Sequence, residues 1–334
     1  MQDPVSGTRA VIAVHGTRHG PAFGGIRRAV YAGVDSAVAD ALRLAHAMTL
    51  KCMTVGVAGG GGKCVLMDHP DLDAHRAYRW LGRHIEAMGG RFFTGPDVGT
   101  GPEQLAALAQ TTRFAISPGD FDGLTNATTS GVLAGLRAVA RELDEPGLGN
   151  LSFVIQGVGG VGARVAEQLV AAGGCVAIAD TDAARVAATR DQLGVTVIAP
   201  EAVLATECDV FVPCAFGGVL AADTIARLRC RAVAGSANNQ LTVPSDARLL
   251  ADRGILYAPD FMVSAGGLIA GAGHHPLWPP TQNADTTVDC IETLLVDLFA
   301  RARASGVAPA DLATAEAEQR LRAGDGTWFA HEQA

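Results

Sequence analysis

The stretch LSFVIQGVGGVGARVAEQLVAAGGCVAIAD, residues 151–180, decides the fold. It opens with an apolar run typical of a buried strand, passes through glycines spaced GxGxxG, and continues with helical periodicity to a second apolar run. A strand, a glycine turn, a helix and a second strand form a βαβ unit with parallel strands. The same alternation continues over residues 182–260, which predicts a parallel α/β sheet.

The glycine turn has the spacing of a dinucleotide-binding site. Gly157 is expected to make the turn, Gly159 to admit a pyrophosphate, and Gly162 to let the helix pack closely on the strand. The first amides of the helix, from Gly160, Val161 and Gly162, would face the phosphates, where the helix dipole favours negative charge. The alternative is that these glycines serve packing alone.

Asp180 ends the second strand of this unit and indicates the type of dinucleotide. A carboxylate there is expected to bind the adenosine ribose hydroxyls and to repel a 2′-phosphate. The next residues, Thr181 and Asp182, offer no arginine for such a phosphate. The sequence therefore favours NAD over NADP.

Composition excludes several classes of protein. The 334 residues are 49% hydrophobic and 18% charged, which excludes intrinsic disorder. The net charge of −8 argues against nucleic acid or an anionic membrane as the main partner. Residues 261–284 are uncharged but too rich in polar residues and glycine to span a membrane. The absence of CxxC pairs among the seven cysteines and of a leader-like start at residues 1–10 predicts a cytoplasmic protein with reduced thiols.

Lysine occurs at only two positions. Of 26 basic residues, all but Lys51 and Lys63 are arginine. Since arginine replaces lysine wherever charge alone matters, we infer that at least one lysine must lose a proton or fit a pocket too small for guanidinium. The alternative is that two exposed lysines persist by chance. We expect Lys51 to follow a helix over 34–50, and Lys63 to follow the glycine loop Gly59–Gly62.

Two further segments complete the pattern. GPAFGG, Gly20–Gly25, is interpreted as a loop, and TGPDVGT places Asp97 after a short strand over 91–94. A carboxylate there is either a helix cap or a catalytic group. His274 and His275 are adjacent, but no carboxylate or cysteine pair lies at ligand spacing, so a loop is favoured over a metal site.

Taken together, these segments resemble the glutamate/leucine/phenylalanine/valine dehydrogenase family, and most closely its leucine, valine and phenylalanine branch. The motifs that carry the resemblance are GPAFGG (20–25), the segment from Lys51 to GGGK (51–63), TGPDVGT (94–100), QGVGGVG (156–162), PCAFGG (213–218), GSANNQL (235–241) and YAPDFMVSAGG (257–267).

The resemblance implies two α/β domains with a cleft between them. The substrate and oligomerisation domain would comprise residues 1–125 and the C-terminal helices from about 300 to 334, and a Rossmann-like NAD domain would comprise 126–299. The reaction would be the reversible oxidative deamination of an apolar L-amino acid, branched or aromatic, to its 2-oxo acid and ammonium. The resemblance also implies a homo-oligomer that needs no metal.

Roles are carried over by motif. Lys51 would bind the substrate carboxylate, Lys63 would be the catalytic lysine that activates water, and Asp97 would exchange protons with the amine. One lysine would thus be neutral during catalysis while the other stays charged. Further substrate contacts would come from Phe23, Gly24, Gly25, Gly95 and Ser264. Further cofactor contacts would come from Thr128, Cys214, Ala215, Asn238 and Asn239.

The chain departs from the family pattern in several places that bear on the substrate. Pro96 stands where an acidic residue is usual beside Asp97. Ser264 stands where relatives usually carry asparagine, and the segment Gly271–Pro280 diverges. Two alternatives stay open. One is the same hydride transfer on an unusual, non-proteinogenic amino acid or imine. The other is a catalytically silent NAD-binding regulatory protein, which the retention of both lysines and Asp97 disfavours.

Overall fold

The structure is a computed structural model that describes residues 1–278 and 287–323. The described residues form two compact units. Unit 1 comprises 1–124, 268–278 and 317–323, and unit 2 comprises 125–267 and 287–316. Each unit carries its own sheet with helices, so the predicted two-domain α/β fold is confirmed. No helix in the described part of the chain is long and apolar enough to cross a membrane.

Eleven strands are described. They are β1 (Gln2–Asp3), β2 (Thr8–Val14), β3 (Ala22–Ala29), β4 (Gly60–Met67), β5 (Phe92–Gly95), β6 (Ser152–Gln156), β7 (Cys175–Ala179), β8 (Thr196–Val197), β9 (Cys208–Pro213), β10 (Cys230–Val233) and β11 (Leu256–Tyr257). Twelve α-helices are described. They are α1 (Val34–Val55), α2 (Ala74–Ala87), α3 (Pro102–Ala109), α4 (Phe121–Glu142), α5 (Gly160–Ala171), α6 (Ala183–Leu193), α7 (Ala222–Ile225), α8 (Asp246–Asp252), α9 (Asp260–Val263), α10 (Gly266–Ala272), α11 (Cys290–Ser305) and α12 (Pro309–Ala323).

The sheet of unit 1 has the order β1-β2-β4-β3-β5. Its central strand, β4, is buried at every residue and runs parallel to β3 and antiparallel to β2. Helix α1 packs on this sheet through small residues, including Ala37, Ala41 and Ala45, which contact Ala13 and Val65. Small side chains let the helix approach the strands closely, and this closeness shapes the site described below.

The sheet of unit 2 has six strands, all parallel, in the order β11-β10-β9-β6-β7-β8. The chain adds β7 and β8 on one side of β6, and then β9 to β11 on the other. The strand order therefore reverses beside β6. In doubly wound sheets, ligands bind at the carboxyl ends of the strands at such a reversal. Gly157 and Cys214 directly follow the two strands that meet there, β6 and β9.

Both lysines lie inside regular elements rather than in loops, so the predicted positions at element ends are wrong. Lys51 belongs to α1, which continues to Val55, and Lys63 belongs to β4, which begins at Gly60. The predicted loop GPAFGG is likewise largely strand, because β3 begins at Ala22. Steric contacts explain why these strands contain glycine. A methyl group on Gly61, for example, would collide with the backbone of α1.

The units differ in two segments from the predicted division at residues 125 and 300. Residues 268–278 belong to unit 1, where the His275 ring bonds the carbonyl of Gly90. Residues 300–316 belong to unit 2, together with the earlier part of helix α11, whose Ile291 and Leu295 lie against the glycines of α4. The physical reason in each case is side-chain packing between residues far apart in sequence.

Candidate active site

Lys63 and Asp97 form a buried ion pair in unit 1. The Lys63 ammonium donates to Oδ2 of Asp97 over 2.7 Å, and their side chains are only 6% and 10% exposed. Strand β4 supplies the lysine, and the turn after β5 supplies the aspartate. Asp97 does not cap the following helix, because the N-cap of α3 is Gly101. The structure therefore brings together the acid–base pair that the motifs suggested.

Arg27 is a third member of this cluster, and the sequence analysis missed it. Its Nε donates to Oδ2 of Asp97 over 3.0 Å, and its Nη1 donates to Oδ2 of Asp40 over 3.3 Å. Asp40 also accepts hydrogen bonds from Tyr31 and Arg43. The signal available in the sequence was weak, since Arg27 is one of many arginines and lies far from Asp97 along the chain.

The charge state of Asp97 follows from these partners. Burial alone would raise the pKa of Asp97, but the adjacent charges of Lys63 and Arg27 outweigh burial and lower it to about 2. Asp97 is consequently a carboxylate at neutral pH. A buried, ionised carboxylate is suited to receive a substrate ammonium group.

Gly24 and Gly25 make this arrangement sterically possible. A methyl group on Gly25 would collide with the backbone of Pro96 and lie 3.0 Å from Cβ of Asp97. A methyl group on Gly24 would collide with the carbonyl of Gly62 in β4. Glycine at position 25 therefore lets the aspartate-bearing turn approach β3 closely, and glycine at position 24 lets β3 lie close to β4.

Lys51 lies in the buried C-terminal half of α1, the helix that packs on β2 and β4. Its side chain is well enclosed, with only 7% of the residue exposed. The alternative of two lysines left exposed by chance is therefore wrong for both Lys51 and Lys63, which are buried. Burial of a lysine is uncommon unless its ammonium has a specific partner or task.

Phe23 begins an aromatic cluster on the same strand as Arg27. Its ring packs edge-on against Trp278 at 5.2 Å between centroids, and against Phe93 at 6.0 Å. His275 fills the space behind these rings. Because alternate residues of a strand share a face, Phe23 lies on the Gly25 and Arg27 side of the sheet. An apolar wall therefore lies next to the charged cluster.

Gly95 does not leave open space in unit 1. A methyl group there would lie 3.0 Å from Cγ1 of Ile116, which is almost fully buried. Ile116 thus occupies the position beside Gly95, and the sequence analysis did not single it out.

The two adjacent histidines have protein partners. His275 Nε2 bonds the carbonyl of Gly90 and its Nδ1 accepts from the amide of Leu277, while His274 lies 3.3 Å from Asp120. Burial lowers the pKa of His275, and the bond to Gly90 partly offsets this. Both rings therefore fasten residues 271–278 of the divergent segment to the rest of unit 1, and its last two residues, 279 and 280, lie outside the described residues.

The glycine turn of unit 2 fits a dinucleotide pyrophosphate. Gly157 has a φ of +95°, and a methyl group on it would lie 2.8 Å from Ala215. A methyl group on Gly162 would collide with the carbonyl of Gly157, so helix and strand are in close contact there. Above Gly159 the nearest atom is a guanidinium nitrogen of Arg185 at 3.9 Å, which leaves room for a phosphate at the amides of Gly160 and Val161.

Asp180 anchors this turn. Its Oδ2 accepts the amide of Val158 over 2.8 Å, and its Oδ1 accepts the amide of Asp182 over 2.9 Å. Each oxygen keeps a lone pair for a ribose hydroxyl. Asp182 caps α6 and pairs with Arg185 over 3.1 Å. Arg185 is therefore a cation near the cofactor site that the sequence analysis did not identify.

The remaining cofactor candidates also lie in unit 2. Cys214 and Ala215 follow β9, with the Cys214 amide donating to the carbonyl of Gln156. Asn239 has a φ of +53°, and its amide nitrogen Nδ2 is buried without a partner among the described residues. Such an unpaired donor fits a cofactor oxygen.

Ser264 and Thr128 complete the set of predicted residues. The Ser264 hydroxyl donates to the carbonyl of Asp260 over 2.6 Å and lies 3.4 Å from Oδ1 of Asn238. Thr128 lies on α4, and a methyl group on Gly266 would lie 3.2 Å from its Cα. The substrate candidate Ser264 is thus grouped with the cofactor candidates, and the other substrate candidates belong to unit 1.

Comparison with known proteins gives the family. The model described as "Glu/Leu/Phe/Val dehydrogenase, dimerisation domain" matches residues 1–114, and the one described as "Glutamate/Leucine/Phenylalanine/Valine dehydrogenase" matches residues 183–272. A phenylalanine dehydrogenase of Bacillus thermotolerans is 38% identical, over 96% of this chain and 87% of that protein. This chain belongs to the Glu/Leu/Phe/Val dehydrogenase family.

Other members of the family act on different amino acids, according to their names. A leucine dehydrogenase of Thermoactinomyces intermedius is 35% identical, over 96% of this chain and 89% of that protein. The solved structure of an L-tryptophan dehydrogenase from Nostoc punctiforme aligns with a TM-score of 0.77 and 31% identity, covering 96% of this chain and 94% of that one. The predicted family is therefore confirmed, and so is its enzymatic nature.

Proposed function

We propose that this dehydrogenase catalyses the reversible, NAD-dependent oxidative deamination of an apolar L-amino acid to its 2-oxo acid and ammonium. The observation that carries the proposal is the buried Lys63–Asp97 pair beside the apolar wall of Phe23 and Trp278. Relatives named for phenylalanine, leucine and tryptophan support this class of substrate.

In the proposed reaction Asp97, Lys63 and Lys51 have separate roles. Asp97 binds the substrate ammonium and accepts a proton from it once Lys63 has turned from Asp97 toward the substrate. Lys63 in its neutral form takes a proton from the water that attacks the iminium carbon and later donates to the departing amine. Lys51 keeps its charge and binds the substrate carboxylate. When bound, NAD⁺ accepts the hydride from the substrate Cα.

NAD would be held by unit 2. The amides of Gly160 and Val161 would bind the pyrophosphate, Asp180 the adenosine ribose, and Asn239 an oxygen near the nicotinamide. Thr128, Cys214, Ala215 and Asn238 are proposed as further contacts. The fit rests on the room above Gly159 and the unpaired donor of Asn239.

An apolar substrate follows from the residues near the charged cluster. Phe23, Gly95, Ile116 and Trp278 offer no cation for a second carboxylate, which an acidic side chain would need. A glutamate side chain is therefore disfavoured.

We also propose that the enzyme self-associates through residues 1–114 and works in the cytoplasm. The description of the matching family model as a dimerisation domain supports the first proposal. The seven free cysteines support the second, because the cytoplasm keeps thiols reduced.

The proposed function is tested by NADH absorbance with a panel of L-amino acids. We expect turnover of phenylalanine, leucine or valine with NAD⁺, and none of glutamate. Binding of NAD⁺ without turnover of any panel member would instead favour an unusual substrate or a silent NAD-binding protein.

Replacing Asp180 with alanine is expected to weaken NADH binding and to lower the preference for NADH over NADPH by at least about tenfold, because removing the carboxylate removes its repulsion of the 2′-phosphate. Asp191→Ala is the control, since Asp191 lies exposed on the same helix α6 and pairs with its neighbour Arg190. Nicotinamide fluorescence titrations give both dissociation constants. An unchanged preference would show that another residue reads the ribose.

Replacing Trp278 with leucine is expected to change the ratio of kcat/KM for phenylalanine over valine by about tenfold in favour of phenylalanine. The substitution removes an aromatic ring from beside Phe23 and enlarges the apolar site. Trp80→Leu is the matched control, because Trp80 packs on His84 on helix α2. Equal ratios in both variants would show that Trp278 does not shape the site.

A further inference from the structure

Arg27 bridges two carboxylates within unit 1. Its Nε reaches Asp97 and its Nη1 reaches Asp40, and its own side chain is 18% exposed. Lys63 and Arg27 bind the same oxygen, Oδ2, of Asp97. Asp97 therefore has two cationic partners, of which one can release a proton and the other cannot, because guanidinium stays charged at any working pH.

This difference matters in the proposed reaction. Lys63 must turn toward the substrate and alternate between charged and neutral forms. Its ion pair with Asp97 is therefore broken during part of the reaction. A permanent cation on the same oxygen keeps the carboxylate in place during that interval. Misplacing a reacting group by about 1 Å lowers the reaction rate about 100-fold.

Asp40 holds Arg27 in turn. Its Oδ2 accepts from Arg27 and from the hydroxyl of Tyr31 over 2.8 Å, and its Oδ1 accepts from Arg43 over 2.6 Å. Burial opposes the charge of Asp40, but these hydrogen bonds and charges leave its pKa below the ordinary value. Burial and the bond to Asp40 raise the pKa of Tyr31, so its hydroxyl stays protonated and donates. Asp40 thus stays negatively charged next to the Arg27 guanidinium.

We propose that Arg27 is the positioning residue for Asp97, and that Asp40 acts on the reaction through Arg27. The inference rests on the proposed function and adds to it a second carboxylate that touches neither substrate nor cofactor.

A kinetic double-mutant cycle tests the proposal with the intact enzyme, NAD⁺ and its preferred amino acid. We expect Arg27→Met to lower kcat about 100-fold with a smaller change in KM. Asp40→Asn should lower kcat less, and adding it to Arg27→Met should change kcat no further. Guanidinium ion should restore part of the activity of Arg27→Ala. Arg76→Met is the matched control, since Arg76 pairs with Asp73 at the surface of α2.

Where Arg27→Met folds, two results would overturn the proposal: wild-type kcat in Arg27→Met, or an Asp40→Asn effect that is undiminished in the Arg27→Met background. If Arg27 variants do not fold, wild-type kcat in Asp40→Asn would overturn it. If the wild-type enzyme turns over no amino acid, the proposed function fails instead. In that case the pKa of Asp97, measured by carbon-13 NMR of its carboxyl group, tests the role of Arg27 without any turnover. Removing Arg27 should raise this pKa from about 2, and an unchanged pKa would refute the role of Arg27.

Discussion

Replacing Lys63 with arginine is expected to lower kcat by about 10²–10⁴-fold. A guanidinium group keeps the positive charge but does not release a proton at working pH, so it cannot take the proton of the attacking water. The substitution lies in unit 1, whereas the glycine turn that would hold NAD lies in unit 2. NADH affinity, measured by fluorescence titration, should therefore stay within about twofold of wild type.

Lys63→Arg alone does not separate lost chemistry from lost packing, because Lys63 is buried. Thermal unfolding of the variant is the control, and exogenous alkylamines with Lys63→Ala provide a second readout. Partial rescue by a small amine would support the base role. Substantial turnover by Lys63→Arg without any added amine would contradict it.

Replacing Asp97 with asparagine is expected to lower kcat by a similar factor, about 10²–10⁴-fold. The amide matches the shape of the carboxylate but accepts no proton from the substrate ammonium. It also leaves Lys63 and Arg27, both bound to one oxygen of Asp97, without a negative charge. Initial rates of NADH formation measure the loss.

The pH dependence gives this second prediction a further check. With a pKa of about 2, Asp97 is ionised throughout the neutral range. Its protonation therefore cannot be the cause of any activity lost on mild acidification, and that limb of the wild-type pH profile belongs to another group. Asp97→Asn should lower the height of the limb without removing it. A limb that disappears in Asp97→Asn would show that Asp97 titrates there.

Local sequence patterns were sufficient to predict the strands and the glycine turn of unit 2. The glycine fingerprint, the apolar strands and Asp180 lie within one continuous stretch, and each has a distinct physical signature. The structure shows the same turn, with Gly157 at positive φ and Gly162 packed on β6. Arg185 lies beyond this fingerprint, on helix α6, and only the folded structure brings it near the glycine turn.

Unit 1 was harder to predict, because its central strands are rich in glycine. Alternation of large apolar side chains is the usual signal of a strand, and Gly60–Gly62 carry no side chains. Gly61 is required by the close approach of α1, and a methyl group on Gly60 would collide with the carbonyl of Gly16, contacts that only the folded structure shows. Helix α1 continues to Val55 and takes in Lys51 because its last turns remain buried, a tertiary effect that outweighs local signals.

The features of the site that the sequence did not predict arise from contacts between residues far apart in the chain. The approach of Arg27 to Asp97 and the packing of Trp278 on Phe23 join segments that are far apart in sequence. Nothing in either local sequence specifies these partners. The lysine bias and the order of the motifs pointed to Lys63 and Asp97, but the residues that hold Asp97 in place required coordinates.

The most direct test of the account is to measure NADH and ammonium together. Wild-type enzyme, NAD⁺ and L-phenylalanine or L-leucine are incubated at alkaline pH, with Lys63→Arg in parallel. We expect equal amounts of NADH and ammonium from the wild type and neither from the variant. NADH without ammonium, or equal yields from the variant, would contradict oxidative deamination by Lys63 and Asp97.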